Sequence, residues 1–484
     1  MSLDLSMFAP ILPQILLLVL ALLILFLDLV VPRDQQHNLG WVTAAGMGLI
    51  MLLMLPVMPG ETPVSVWGGM ISFDWMSYLF TMIFLFGAGV TALLAMDYPE
   101  LGGRAEFYVL MIASTIGMTF MAAAGDLVLL YLAIETVSIP LYILAGFFVR
   151  NDQSTEAGFK YLLFGAMTSA VMLYGFSLLY GFAGTTDLQM IMSGMQAGGV
   201  SEPLILASLL LVLVGLSFKV SVVPFHFWAP DVYQGAPTPV AGFLSTASKA
   251  AGFAVLVRLL FIVFSSPSMM NAWVVILAAL SVATMTLGNL IALTQRNIKR
   301  MLAFSSIAHA GYILIGVVSV NSDLGLTSVV YYLVAYLITN LAAFAIVAAY
   351  GRVAGSDDMT AYYGLSRRSP GLALAMLIAF LSLAGMPPFA GFIAKVFVFA
   401  AAVDAGLVWL AIVGVLNAII GLYYYLTVMK YVFLYRSEGD EVPLQTSGGF
   451  RLAIGVLVAG ILIVGTLFSP WFNLAATAAQ AMLF

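Results

Sequence analysis

The sequence predicts an all-α polytopic membrane protein of about fourteen transmembrane helices, and three observations carry that expectation. Of its 484 residues, 63% are hydrophobic and 8% charged, against about 25% charged in a soluble domain. The apolar residues fall in continuous runs of roughly 20, the length that crosses a bilayer core at about 1.5 Å rise per residue. The runs lack the alternating polarity of barrel strands, and lipid favours helices because they satisfy their own backbone. This composition excludes a soluble enzyme, a nucleic-acid binder and a disordered chain.

The runs, in order, are 8–31, 39–58, 71–95, 107–124, 126–149, 155–181, 203–233, 237–263, 271–293, 299–319, 325–350, 371–403, 407–433 and 451–475. Their short connections leave no sizeable soluble domain. Asp4 precedes the first run and no positive segment does, so it reads as a retained helix rather than a signal peptide. The loop charges are one-sided. Loops on the side of the first connection hold Arg33, Arg104, Arg150, Arg296, Lys299, Arg300, Arg352, Arg367, Arg368, Lys430, Arg436 and Arg451. The opposite side holds Asp4, Glu61, Asp74, Asp126, Asp187, Glu202, Asp323 and Asp404, with no Lys or Arg. Positive loops stay inside. Both termini are therefore expected outside a bacterial plasma membrane, which requires an even number of spans.

Of the 17 Lys and Arg residues, five remain within spans: Lys160, Lys219, Lys249, Arg258 and Lys395. An ionisable group at bilayer depth costs roughly 2.5–3.5 kcal/mol and marks a pathway by default. Lys160 and Arg258 lie near span ends, where snorkelling explains a cation, and Asp28 reads as a solvated end. Glu135, Lys219, Lys249, His309 and Lys395 resist that explanation. They fall at similar depth on five different spans, which ions serving only to pack helices need not do.

At 31 and 33 residues, spans 203–233 and 371–403 are overlong. The first carries Pro224 and Pro230 and the second Gly385, Pro387, Pro388 and Gly391. Proline removes a helical hydrogen bond, and broken spans at corresponding places point to transport sites. These are the seventh and twelfth spans, so the repeat is five helices long and its second copy must be inverted. The expected division is helices 1–3 (1–106), one repeat of helices 4–8 (107–263), a second of helices 9–13 (271–433), and helix 14 (451–475). The span of Glu135 then corresponds to that of His309, and the span of Lys219 to that of Lys395.

This inventory suits protons. Burial weakens an ammonium's hold on its proton and a nearby carboxylate restores it. At 4 Å and an effective dielectric of 20 that attraction is about 4 kcal/mol, roughly a thousandfold in proton affinity. Moving one charge across 100 mV takes about 2.3 kcal/mol, so such a switch is large enough to drive a proton. Ser245, Thr246 and Ser248 beside Lys249 suit a water-bridged relay. The chain has no cysteine and three histidines, and neither a GxxxxGK[ST] loop nor a GxGxxG turn. No cofactor or metal site is expected, and the driving force must come from partner subunits or an ion gradient.

Three segments carry a resemblance: KVSVVPFHFWAPDVYQGAPTPVAGFLSTASKAAGF (219–253), RNIKRMLAFSSIAHAGY (296–312) and LSLAGMPPFAGFIAKVFVF (381–399). They resemble the antiporter-like membrane subunits of respiratory complex I, the proton-translocating NADH:quinone oxidoreductase, over essentially the whole chain. The match is nearest the N type, counterpart of mitochondrial subunit 2. PDVYQGAPTP followed by ASK marks that type, as does Lys395 where the M type would carry a glutamate. The long lateral helix of the L type is not expected.

The resemblance implies fourteen helices, two inverted five-helix repeats and one proton pathway. By motif position, Glu135 would pair with Lys219, and Lys219 would take up and pass on the proton. Lys249 would relay it, and Lys395 would stand nearest the outer exit. His309 and His226 would lie near the inner half-channels, with Lys160 and Asp231 as further pathway groups. NADH, FMN, iron–sulfur clusters and quinone would belong to partner subunits, the partners being the M-type subunit and the small membrane subunits. Two other readings share parts of this pattern: a subunit of a multi-subunit sodium/proton antiporter, and a non-pumping scaffold. The ASK and PDVYQGAP segments favour the first reading over the antiporter.

Overall fold

The computed structural model describes residues 5–60, 62–436, 442–443 and 446–481. Asp4 and Glu61, counted above among the outer charges, lie outside them. Among the described residues, thirteen helices are long and apolar enough to cross a membrane, and a broken pair makes the fourteenth pass. In order they are α1 (Leu12–Val30), α2 (Leu39–Met54), α3 (Trp75–Ala95), α4 (Ala105–Ala123), α5 (Leu127–Ala145) and α6 (Asp152–Ala183). The seventh pass is α7a (Glu202–Val220) and α7b (Trp228–Gly235), followed by α8 (Thr238–Val263). Then come α9 (Pro267–Ala292), α10 (Ile298–Val318), α11 (Gly325–Ala354), α12a (Pro370–Ala384), α12b (Ala390–Asp404), α13 (Val408–Leu434) and α14 (Gly448–Thr466). One small hairpin, β1 (Val64–Val66) with β2 (Ile71–Phe73), links α2 to α3.

Local chemistry fixes several starts. Asp74 accepts the Ser77 amide at 2.7 Å in a capping box before α3. Asp126 caps α5, Asn151 caps α6 and Asn297 caps α10, each offering a side-chain oxygen to an otherwise unpaired amide. Helix α10 is buried along its length except at Arg300, and α11 and α8 nearly so, as expected of helices apolar all round. Helices α1, α2, α6 and α9 keep apolar faces open.

Each repeat begins with a helix pair in backbone contact. A Cβ on Gly117 of α4 would lie 2.7 Å from the Val137 nitrogen of α5. In the second repeat, a Cβ on Gly288 of α9 would lie 2.8 Å from the Ala308 nitrogen of α10. Small residues allow this approach where lipid gives helices no hydrophobic drive to associate.

The repeats share one further device. Antiparallel bridges join Asp126 to Asp187 and Asn297 to Asp358, both members shifted by the same 171 positions. Their hydrogen bonds match atom for atom: Leu127 N to Thr186 O and Leu188 N to Gly125 O in one, Ile298 N to Asp357 O and Met359 N to Arg296 O in the other. The first bridge lies on the acidic side and the second on the arginine-rich side, as inversion requires. This register sets Glu135 opposite Ser306, and Ser138 opposite His309.

The two breaks are alike. Helix α7a ends at Ser221 (φ 61°) and α12a at Gly385 (φ 86°), both left-handed. A proline follows each three residues later, Pro224 and Pro388. In α7 the gap is held by Trp228, whose indole donates to the Phe218 carbonyl at 3.1 Å. The Val223 amide N–H donates to the Thr284 hydroxyl of α9 at 3.1 Å. Helix α8 carries two π turns, Leu244–Ser248 and Leu259–Val263.

Arg258 departs from the snorkelling expected of it. It is buried, and its guanidinium donates to Asp74 and to the Ala122 carbonyl, both at 2.8 Å. The cause lies in α3: Asp74, itself buried as the helix cap, leaves one carboxylate oxygen for a cation.

Candidate functional site

Lys219, Lys249, His309 and Lys395 are buried and Glu135 is half-buried, on helices that meet along the middle of the bundle. Glu135 sits in the centre of α5, where its carboxylate accepts a short hydrogen bond from Ser169 of α6. One turn further along α5, the Ser138 hydroxyl accepts from Lys219 at 2.9 Å. The Lys219 ammonium and the Glu135 carboxylate thus address α5 one helical turn apart, and no ion pair joins them among the described residues. Lys219 belongs to the last turn of α7a and is buried. Its stem packs on Gly252 of α8, where a Cβ would approach Cγ to 3.2 Å.

Lys249 lies one turn before Gly252, directly after the first π turn of α8. It donates to the Ser306 carbonyl at 2.7 Å and to the Ser306 hydroxyl at 2.5 Å. Helix α10 carries the line onward. Ser305 shares a short hydrogen bond with Tyr425 of α13. The Tyr425 hydroxyl stands 3.4 Å from His309 Nε2, while His309 Nδ1 is 2.7 Å from the Tyr332 hydroxyl of α11. A further turn along α10, the Tyr312 ring lies under the Lys395 ammonium at 5.0 Å.

Lys395, on α12b, reaches back across its break and donates to the Leu383 and Ala384 carbonyls, each at 2.9 Å. These end α12a, so the ammonium meets the negative pole of a half-helix. A cavity of about 10 Å³, the scale of one water, separates His309 and Tyr332 from Ser382 and Leu383.

Five buried polar atoms near this line make no hydrogen bond within 3.5 Å among the described residues: Ser221 Oγ, His226 Nδ1, Tyr233 OH, Tyr336 OH and Asn340 Oδ1. Buried polar groups of native proteins are nearly always paired, with ordered water supplying what protein does not.

The remaining candidates gather at the arginine-rich end. Lys160 reaches Glu156 and Asp231, both at 2.6 Å, and Arg300 reaches Asp231 at 2.6 Å. Lys160, Asp231 and Arg300 are each about one-third exposed and tie α6, α7b and α10 together, so Lys160 is ion-paired as well as near a span end. Lys299 pairs with Asp357 at 3.0 Å beside a polar cavity of 360 Å³. His226 is buried within the α7 break against Phe227. Among the described residues no three His, Asp or Glu side chains converge as metal ligands.

Sequence reasoning missed the neutral members: Ser138, Ser169, Ser306, Tyr332, Tyr425 and Tyr312. A usable signal existed for two of them. Ser138 follows Glu135 by one turn and Ser306 precedes His309 by one turn, so each shares a helix face with an ionisable group.

A bundle with two inverted repeats, two opposed broken helices and lysines at mid-depth defines the antiporter-like class of membrane subunits. Residues 124–421 match the family model described as NADH:quinone oxidoreductase/Mrp antiporter, TM, and the chain belongs to that family. It is 42% identical to NADH-quinone oxidoreductase subunit N of Moorella thermoacetica over 96% of this chain and 97% of the relative. It is 38% identical to NAD(P)H-quinone oxidoreductase subunit 2 of Trichormus variabilis, covering 96% and 91%. A chain of respiratory complex I from Thermus thermophilus superposes with a TM-score of 0.80 at 35% identity, covering 96% and 99%. A chain of the Mrp complex from Dietzia sp. gives 0.85 at 22% identity over all of both chains, which is a likeness of fold.

Proposed function

We propose that this chain is the N-type proton-translocating membrane subunit of an NADH:quinone oxidoreductase, carrying protons outward along the buried line. The observation that carries the reading is the succession of contacts Lys219–Ser138, Lys249–Ser306, His309–Tyr332 and Lys395 on the α12a carbonyls. Each titratable group has a neutral hydroxyl or carbonyl partner and no buried counter-ion at contact distance. A proton can therefore leave one site for the next without breaking a closed ion pair, whose separation inside a protein would cost several kcal/mol.

In this reading Glu135 sets the proton affinity of Lys219 from one turn away. Lys219 loads and passes its proton to Lys249 through water held by Ser221 and Tyr233. His309, expected near an inner half-channel, lies among Tyr332 and Tyr425 beside the end of α12a; with these tyrosines it bridges Lys249 to Lys395, which releases to the outside. His226 lines the uptake side within the α7 break, and Lys160 and Asp231 surround its mouth. The arginine-rich face is cytoplasmic and both termini are external. Quinone chemistry in partner subunits, which hold NADH, FMN and the iron–sulfur clusters, supplies the energy. The contacts of this chain are with the M-type and small membrane subunits.

The test is Lys219→Gln in the whole complex reconstituted into vesicles. Normal assembly with a lowered proton-to-electron ratio is expected. A full ratio would overturn the assignment of Glu135 and Lys219, and sodium-dependent transport without quinone reduction would favour the antiporter reading.

A further inference from the structure

Between α12a and α14, on the arginine-rich side, runs an open groove of about 450 Å³. Its walls are apolar, with Leu372 and Ile378 on one helix and Ile454 and Val458 on the other. Two glycines border it, and a Cβ on Gly371 or Gly455 would project into open space, with nothing within 4 Å. The mouth is polar, formed by Ser369, Thr446 and Arg451. The Arg451 Nε donates to Thr446 Oγ1 at 3.1 Å, which fixes the guanidinium at the mouth. Arg368, next to Ser369 in sequence but outside the groove lining, donates its Nε to the Val442 carbonyl at 3.4 Å and also contacts the Tyr350 hydroxyl. Among the described residues neither arginine has a carboxylate partner.

We propose that this groove holds one anionic phospholipid, its phosphate on Arg451 and Arg368 and an acyl chain between α12a and α14. The dimensions agree. Arg451 and Val458 are seven residues apart on one helix, about 10 Å along the axis, so the cation stands at headgroup level above a slot of acyl-chain depth. A guanidinium matches a phosphodiester with two parallel hydrogen bonds. Basic pockets between membrane helices on the cytoplasmic side bind such headgroups. A second groove serves as contrast. Between α12b and α13 a cavity of 360 Å³ is lined by Phe399, Val403, Val408, Ile412, Val415 and Leu416, with no polar group. Helix 12 thus meets an apolar groove in each half, and only the one on the arginine-rich side has a cationic mouth.

The experiment uses the intact complex in nanodiscs of phosphatidylcholine doped with photoreactive phosphatidylglycerol, reading label on residues 451–458. Strong labelling is expected, reduced on the order of fivefold by Arg451→Gln and again by Arg368→Gln. Gly455→Leu should abolish it by filling the slot. In the unmodified complex, unlabelled phosphatidylglycerol should compete at least fivefold better than phosphatidylcholine, a measurement that needs no variant to fold. Equal competition by the two lipids would overturn the proposal. So would label indifferent to Arg451→Gln, or a neighbouring subunit cross-linking to 451–458 in place of lipid. None of these outcomes depends on the proton route.

Discussion

In the seventh pass the lysine precedes the break, and in the twelfth it follows. Lys219 ends α7a and donates sideways to Ser138 of α5. Lys395 lies inside α12b and donates backward to the carbonyls that close α12a. The scaffold is otherwise shared, with left-handed residues at Ser221 and Gly385 and a proline three positions on. Aligning the breaks sets Lys395 opposite Asp231, and Lys219 opposite Leu383. A break thus offers two ways of holding a cation. One leaves the ammonium on a single neutral hydroxyl, from which it is easily withdrawn. The other makes it part of the cap of a half-helix, so that its charge also supports the fold.

The sharpest test of that contrast compares Lys219→Met with Lys395→Met. Both should lower proton transport by more than tenfold in reconstituted vesicles, since each removes a titratable group. Their stabilities should differ. Ser138 already donates to the Ile134 carbonyl at 2.7 Å, so removing Lys219 leaves no orphan there. Removing Lys395 strands two buried carbonyls, at about 1–3 kcal/mol each. The Lys395 variant should therefore melt clearly below the Lys219 variant in the purified complex. Equal melting would dissolve the distinction.

Next in size is Gly385→Ala. The residue has φ 86°, and a Cβ would come within 2.7 Å of the Lys395 Cδ. Strain of about 1–3 kcal/mol is expected, with lower assembly and a displaced lysine. Assembly should recover in part when Lys395 is shortened as well, because the clash is with its stem. Failure of the double variant to recover would mean that the backbone, not the lysine, sets the cost.

Much of this was legible in the sequence, for identifiable reasons. Length and hydropathy fix the passes because lipid demands closed helices, and Lys/Arg asymmetry predicts their sides. The breaks are legible because proline at Pro224 and Pro388 has one physical meaning inside a helix. Arg258 shows what was not legible. Its partner Asp74 is 184 positions away and reads in sequence as a loop charge. The serines and tyrosines of the line were hidden for a similar reason: a hydroxyl in a membrane helix usually bonds to its own preceding turn. Ser138 does so and also accepts from Lys219, and the second role exists only in three dimensions. The register of the repeats was blurred because the turns before the two breaks differ by seven residues, the bridges lying 171 positions apart and the break residues 164.

A smaller effect follows at Ser138. Ser138→Ala removes the hydroxyl that receives Lys219 while Glu135 remains. The ammonium then loses one buried hydrogen bond to a charged group, about 1.5–3 kcal/mol, partly replaced by water. Proton transport should fall several-fold, less than on loss of the lysine itself. A rate unchanged from the parent would show that Lys219 works from another conformation than the one on Ser138.

The smallest expected effect separates the two breaks themselves. Ser221 holds φ 61°, a conformation that an L side chain adopts at some cost and glycine adopts freely. Its hydroxyl is also buried and makes no hydrogen bond within 3.5 Å among the described residues. Ser221→Gly should therefore relax the backbone by up to about 1 kcal/mol and raise the melting temperature slightly, making the α7 break resemble that of α12. If the serine is kept only as a turn residue, transport should be unchanged. If its hydroxyl holds water between Lys219 and Lys249, transport should fall while stability rises. That opposite movement of the two readouts is expected here, because Gly385, at the matching position in the twelfth pass, has no lysine–lysine gap to bridge: Lys395 fills its own break.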